Sequence, residues 1–302
     1  MSDWVPACVV GVDIGGSKIS AGLVTPNGEI LRTRSVATPS TPSAILSQVK
    51  QLCHELITGF QGEIVAIGIG SAGMVDSKRG QVIHANNNLP GWTGTPLSAL
   101  QIGDGLPVVA ENDARALSYG EAKMGAGRHY TSLLCVTVGT GVGGGIILDG
   151  EIWHGPNYSA GEIGYLVVGW EGDKPIILDQ FVSGPGIERA YQASTGAEDR
   201  IPLTEITRRA YGGEPIAAQT IKEKARQLGI ILGGFVAAIN PTALVIGGGV
   251  PQIGELWWDA FEAAFRESVP PLLRSTPILP AKLGVEAVLL GAAMLAWDKV
   301  TP

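Results

Sequence analysis

Residues 9–31, VVGVDIGGSKISAGLVTPNGEIL, read as an apolar strand, a glycine turn, an alternating strand, an Asn27-Gly28 hairpin turn and a third strand. That is a three-stranded antiparallel start. Residues 133–155, LLCVTVGTGVGGGIILDGEIWHG, repeat the plan with Asp149-Gly150 as the second turn, so the chain reads as two halves of related design. Between the repeats the pattern predicts a helix over 42–57, a strand over 64–69, a polar loop through Asn88, a short strand over 108–111 and a helix over 114–124. After Pro185 it is mainly helical, up to a strand over 243–246, its Gly247-Gly248-Gly249 turn and a final helix over 291–299. Strand and helix alternate throughout, which is the α/β class. A domain boundary is expected near Arg115, shortly before the second repeat begins.

A chain of 302 residues fits one large domain or two ordinary ones, enough to build a core without disulfides. Lys plus Arg number 21 against 28 Asp plus Glu, a net charge of −7 that opposes a protein built to grip nucleic acid. The three cysteines, Cys8, Cys53 and Cys135, form no CxxC pair, so neither a disulfide framework nor a local zinc knuckle is written here, and a reducing cytoplasm is the expected compartment. The first residues lack a basic region followed by an apolar stretch, which predicts no signal peptide. The longest apolar tract, 228–250, is broken by Asn240, Pro241 and Thr242, and reads as a buried helix followed by a strand rather than a membrane span.

Three glycine-rich stretches follow apolar strands: 11–18, 68–73 and 139–145. The second and third satisfy GxGxxG, but a dinucleotide fingerprint needs its glycines to open a helix, and Gly145 runs into the strand-like Ile146-Ile147-Leu148. A Walker loop ends Gly-Lys-Ser/Thr, and Gly16-Ser17-Lys18 has hydroxyl and ammonium in the other order. What remains is a hairpin whose tight turn exposes N–H groups and a small hydroxyl, Ser17 in one copy and Thr140 in the other, able to cradle phosphates. The competing reading is that the glycines serve only the turns. Asp13 is a carboxylate inside an apolar run, costly to bury unless paired with a cation such as Mg²⁺ or Lys18.

The stretch Leu106-Pro-Val-Val-Ala-Glu-Asn-Asp113 places an Asn-Asp pair where a strand ends and a helix begins. Asp113 as a bare N-cap needs no substrate. Capping by Asn112, with Asp113 turned to a cleft, is the arrangement that favours base catalysis. Glu162 faces either a ligand or water, and His154 reads as a packing histidine. Neither it nor His54, His84 and His129 have metal-ligand spacing. Asn86-Asn87-Asn88 before Leu-Pro-Gly-Trp92 is a turn whose amides suit hydroxyl-rich ligands.

Together, Asp13-Ile-Gly-Gly-Ser-Lys18, Glu111-Asn-Asp-Ala-Arg-Ala116, Val136-Thr-Val-Gly-Thr-Gly-Val-Gly-Gly-Gly145, Val245-Ile-Gly-Gly-Gly249 and Leu290-Gly-Ala-Ala-Met294 resemble, in content and order, the ROK family of sugar kinases. The resemblance covers essentially the whole chain. It implies two actin-like (ribonuclease H-like) domains, each with a mixed sheet, and a cleft between them: a smaller one over 1–115, rejoined by the C-terminal helix 290–302, and a larger one over 116–289. It implies ATP with Mg²⁺ as the phosphate donor, Asp13 orienting the metal or the γ-phosphate. Gly15, Gly16, Ser17, Lys18, Thr140 and Gly141 would surround phosphates, and Gly247 and Gly248 would lie near the adenosine. Asp113 matches the family's general base toward the 6-hydroxyl of a hexose, most simply glucose, and Asn88, Asn112 and Glu162 match sugar-binding positions. A homodimer or homotetramer is expected, with no nucleic acid or membrane partner.

One stretch departs from the family. Where most members have Gly-Glu-x-Gly-His and a zinc-binding cysteine cluster, this chain has Tyr165 at the His position and no such cysteines. No structural zinc is expected, and Asp179 falls where the family's second sugar-binding Glu would be. The departure keeps N-acetylmannosamine, another N-acetylhexosamine or a cyclitol open as acceptor, and beside them a catalytically silent sugar-binding protein. A sugar-responsive repressor would need a DNA-binding segment before Asp13, and only about a dozen residues stand there.

Overall fold

The computed structural model describes residues 7–86, 89–103 and 105–301. The chain opens with the three strands β1 (Ala7–Ile14), β2 (Lys18–Val24) and β3 (Ile30–Ala37), then α1 (Pro42–Ile57) and β4 (Glu63–Ser71). The short strands β5 (Met74–Asp76) and β6 (Gln81–His84) precede β7 (Val108–Asn112) and α2 (Asp113–Lys123). The second repeat supplies β8 (Leu133–Val138), β9 (Val142–Leu148) and β10 (Glu151–Ile152). A hairpin of β11 (Val167–Glu171) and β12 (Lys174–Ile177) leads into α3 (Leu178–Val182), α4 (Gly184–Thr195), α5 (Leu203–Tyr211) and the long α6 (Pro215–Ile239). Then come β13 (Ala243–Gly247), α7 (Glu255–Ser268), β14 (Ile278–Pro280) and α8 (Ala287–Val300).

Two five-stranded sheets share one topology, β3-β2-β1-β4-β7 and β10-β9-β8-β13-β14. In each, an antiparallel hairpin is followed by two strands added in parallel, β4 and β7 in the first and β13 and β14 in the second. This is the mixed sheet expected of an actin-like domain, found twice. The chain divides into two compact units: the described residues of Met1–His129, Gly150–Ala160 and Lys282–Pro302, and those of Tyr130–Asp149 and Gly161–Ala281. Residue 115 lies inside α2, and the first unit runs on past that helix.

In the first unit the period of two along the strands sorts residues between two faces. Val10, Val12, Ile14, Ile67 and Ile69 pack with Ile45, Val49, Leu52 and Leu56 of α1. Between them stand glycines: Gly22, Gly11 and Gly68 are register partners across three adjacent strands. Helix α8 lies on this glycine stripe. A methyl group at Gly11 would strike the Leu289 carbonyl, and one at Gly68 the Ala292 carbonyl. Gly291 of α8 in turn meets the Ala116 carbonyl of α2. Gly11, Gly68 and Gly70, which in the sequence belong to two of the glycine-rich stretches, are therefore helix seats within strands. Of those six residues only Gly73, at φ 92°, needs the left-handed region among 68–73. Helix α8 also starts four residues before the predicted 291, because Ala287-Val-Leu-Leu290 is itself an apolar helical turn.

The second unit packs α6 and α7 against its sheet through Leu134, Val136, Ile146, Leu228, Leu232, Trp257, Phe261 and Phe265. Trp257 and Phe261 stack at 5.0 Å between ring centroids. The tract over 228–250 is a buried helix and strand, as its sequence predicts, and no described helix is long and apolar enough to cross a membrane. All three cysteines are buried and free.

Candidate active site

In the first unit the parallel strands β1, β4 and β7 end along one edge of the sheet. Asp13 pairs with Gly70, and Ser71 with Asn112, so the register sets Asp13 and the Asn112-Asp113 pair on that edge. Such carboxyl ends of parallel strands are where ligands bind in open α/β sheets. Asn112 is the N-cap of α2: its Oδ1 accepts from the Arg115 backbone N–H at 3.0 Å. The Asn112 amide also donates to the Gly73 carbonyl and to Asp113 Oδ1, both at 2.9 Å. Capping thus falls to Asn112, and Asp113 is the first residue of the helix, its Oδ1 accepting from Ala114 N–H at 2.7 Å.

Burial dominates the Asp113 carboxyl and pushes its pKa up to about 6, against the opposing pull of the Ala114 and Asn112 hydrogen bonds and the Arg115 charge. Asp13 is pushed up to about 7, by burial first and by the Asp113 charge second, while Lys18 pulls it down. Two carboxyls at one sheet edge are thus raised into the neutral range, where such groups can exchange a proton near pH 7. A divalent cation would reverse both pressures on Asp13, so the donor set fits Mg²⁺. Beside them, Gly15 N–H donates to the Lys18 carbonyl at 3.0 Å and Thr38 Oγ1 to the Gly15 carbonyl at 2.7 Å. Gly16, Ser17 and Lys18 stay exposed at the tip, and Gly15 is half-buried.

Behind Asp113 stands a cluster that the sequence did not single out as functional. Glu111 at the end of β7 and Arg115 in the first turn of α2 are both buried and paired at 2.7 Å. His154 Nε2 lies 2.6 Å from the other Glu111 oxygen. Burial would raise the Glu111 pKa, but the His154 hydrogen bond and the Arg115 charge outweigh it and hold the carboxyl below its ordinary value. The sequence signal was available: an oppositely charged i, i+4 pair bracketing Asn112-Asp113 in an otherwise apolar setting.

In the second unit the Thr140 turn is closed by Gly139 N–H donating to the Gly141 carbonyl at 2.8 Å, with Thr140 exposed. Asp179, at the start of α3, accepts from Val142 N–H at 2.6 Å, and a Cβ on Gly141 would press on the same carboxylate. The structure therefore joins Asp179 to the Thr140 turn. Glu162, half-buried, precedes a single 3-10 turn ending at Tyr165, which is 51% exposed. Gly247 is buried at the end of β13, and Gly248 adopts φ 95° with its α-carbon against the Val138 backbone, where a side chain could not enter. Asn88 lies outside the described residues; downstream of it, Trp92 is buried with its indole N–H on Ser71 Oγ at 3.0 Å.

Where the family resemblance leads one to look for a cysteine cluster, the chain forms the β11–β12 hairpin, joined by a turn at Gly172 with φ 58°. Leu178 and Val182 of the following helix anchor it in the core. Among the described residues, no three His, Cys, Asp or Glu side chains are grouped to hold a metal ion.

The model of the ROK family matches residues 9–299. A glucokinase of Streptomyces coelicolor is 34% identical over 96% of this chain and 97% of its own length. An N-acetylmannosamine kinase of Shigella flexneri is 30% identical over 95% of this chain and 98% of its own. Among solved structures, a ROK family glucokinase from Streptomyces griseus, in complex with glucose and AMPPNP, superposes with a TM-score of 0.82 at 35% identity, covering 96% of this chain and 99% of that one. The repeated sheet, the order of the glycine turns and matches spanning nearly every residue agree: this chain belongs to the ROK family.

Proposed function

We propose that the protein is an ATP-dependent sugar kinase that transfers the γ-phosphoryl group of ATP to the 6-hydroxyl of a hexose, with glucose as the acceptor. The observation that carries the reading is Asp113: a carboxyl raised to about 6, held by the Asn112 cap at the carboxyl edge of the parallel strands. Its pKa lies close enough to neutrality for the ionised form to be abundant at pH 7 and basic enough to take a proton.

In this reading Asp113 accepts the hydroxyl proton as the sugar oxygen attacks phosphorus, and Asn112 orients the sugar beside it. Asn88, Glu162 and Tyr165 contribute further sugar contacts. The exposed turns at Gly15–Lys18 and Thr140–Gly141 hold phosphates, Lys18 adds positive charge, and Gly247 and Gly248 border the nucleoside. Asp179 contributes through the sugar or through the turn it already bonds. Mg²⁺, held by Asp13, would neutralise phosphate charge when bound. Phosphoryl transfer asks chiefly for positioning and charge neutralisation, which this sparse set supplies. Three free buried cysteines suit a reducing cytoplasm.

A second acceptor class, the N-acetylhexosamines, is favoured by two observations: Tyr165 and the β11–β12 hairpin replace the family's His and cysteine segment, and a relative named as an N-acetylmannosamine kinase is 30% identical. The deciding experiment follows ADP release from Mg-ATP by metal-stripped protein across glucose, mannose, fructose, N-acetylmannosamine and N-acetylglucosamine, with Asp113→Asn as control. Turnover with glucose that disappears in the control is the expected result. Turnover confined to an N-acetylated sugar would replace the acceptor. No turnover with any sugar, despite measurable binding, would overturn the kinase reading.

A further inference from the structure

The buried Glu111 carboxylate has two oxygens to satisfy. One accepts from Arg115 Nε and from the Asn112 backbone N–H, both at 2.7 Å. Arg115 spends its remaining nitrogens on carbonyls, Nη1 on Tyr158 at 2.8 Å and Nη2 on Val75 at 3.0 Å. The second oxygen meets His154 Nε2 at 2.6 Å, and the same nitrogen lies 3.0 Å from Ser77 Oγ. A buried carboxylate oxygen left without a donor is strongly disfavoured, so His154 fixes which way Glu111 points. Glu111 in turn fixes the peptide from which Asn112 and Asp113 extend. The five-residue segment from His154 to Tyr158 is tied at both ends to this cluster, and Tyr158 is held at φ 54°, unusual for a bulky residue.

We propose that His154 is a positioning residue for the base: through Glu111 it sets the orientation of the Asp113 carboxylate, while the Asn112 side chain is held separately by the Gly73 carbonyl and the Arg115 N–H, and so His154 governs kcat rather than sugar affinity. The inference rests on the reading of Asp113 as the base. A packing histidine would be replaceable by any side chain of similar size. A positioning one needs its N–H.

The test compares His154→Leu with His154→Gln in the full chain, two side chains of similar bulk of which only glutamine offers an N–H to Glu111. His154→Leu should lower kcat about 10- to 100-fold with both KM values within about threefold of wild type, and His154→Gln should restore kcat to within about threefold. His154→Ala repeats the comparison without the bulk of leucine, should that variant fail to fold. Hydrogen exchange of the peptide covering 109–118, measured on the same proteins without substrate, should accelerate in the leucine variant and not in the glutamine variant. Equal kcat in wild type and His154→Leu with unchanged exchange, or equal losses in both variants, would overturn the proposal. If wild type itself phosphorylates nothing, the kinase reading fails, and the exchange comparison alone decides the positioning role.

Discussion

Replacing Asp113 by Asn should cut activity sharply and at the same time stabilise the protein. Both consequences come from one observation, the rise of the Asp113 pKa from 3.8 to about 6, caused first by burial. That rise amounts to about 3 kcal/mol by which the fold disfavours the ionised carboxyl, taking about 1.4 kcal/mol per pH unit. Asparagine keeps the acceptor for Ala114 N–H and removes the charge. The native state takes up this proton at a higher pH than the unfolded chain, so wild-type stability rises as pH falls from about 7 through 6 toward 3.8. The advantage of the variant is consequently largest above pH 7, up to about 3 kcal/mol, and shrinks to roughly half a kcal/mol near pH 4. Urea unfolding followed by tryptophan fluorescence at pH 7.5, 5.5 and 4 reads this directly. Activity should fall by about two to four orders of magnitude. A variant less stable than wild type at pH 7.5, or an advantage that does not change with pH, would refute the assignment of a half-buried, charge-destabilised base.

Three further outcomes are expected. In wild type, kcat/KM should drop about tenfold between pH 7 and pH 5 as Asp113 takes up its proton, whereas a carboxyl at its ordinary value would leave the rate nearly flat over that range. Gly291→Ala drives a methyl into the Ala116 carbonyl, and should destabilise the first unit by about 1–3 kcal/mol, seen as a lowered midpoint in thermal unfolding. Protein stripped of metals with a chelator should recover full activity with Mg²⁺ alone, measured as ADP release with and without added zinc; a requirement for zinc would contradict the absence of the family's cysteine segment.

The fold was legible where a period or a turn residue carries the information. Helix α1 occupies the predicted 42–57, and Asn27-Gly28 and Asp149-Gly150 lie at the turns that join β2 to β3 and β9 to β10. The role of glycine was legible only in part. Gly248, with its left-handed backbone, is a true turn residue, but Gly11, Gly22 and Gly68 are spaced like turn glycines and serve packing, which depends on a helix more than two hundred residues away. The hairpins β5–β6 and β11–β12 carry short, mixed strands with no clear alternation, and pairing rather than composition defines them. At the site, the capping division between Asn112 and Asp113 could be framed from sequence yet not decided, because either residue is a good cap. His154 was invisible as more than a packing residue, since its partner, Glu111, is 43 positions away.

Helix α8 is made from the last turns of the chain, and it rests on strands made from the first. During synthesis the glycine stripe of Gly22, Gly11 and Gly68 emerges at the start and has no cover until residues 287–300 leave the ribosome. At about 5–20 residues per second that interval lasts roughly fifteen seconds to a minute. The second unit needs nothing beyond residue 281, so it can be complete while the unit that began first is still open on one side. The order of birth and the order of completion are inverted in this chain. A stop codon or frameshift that removes only residues 287–300 would therefore leave these strands with an uncovered sheet face, a natural substrate for chaperones and proteases.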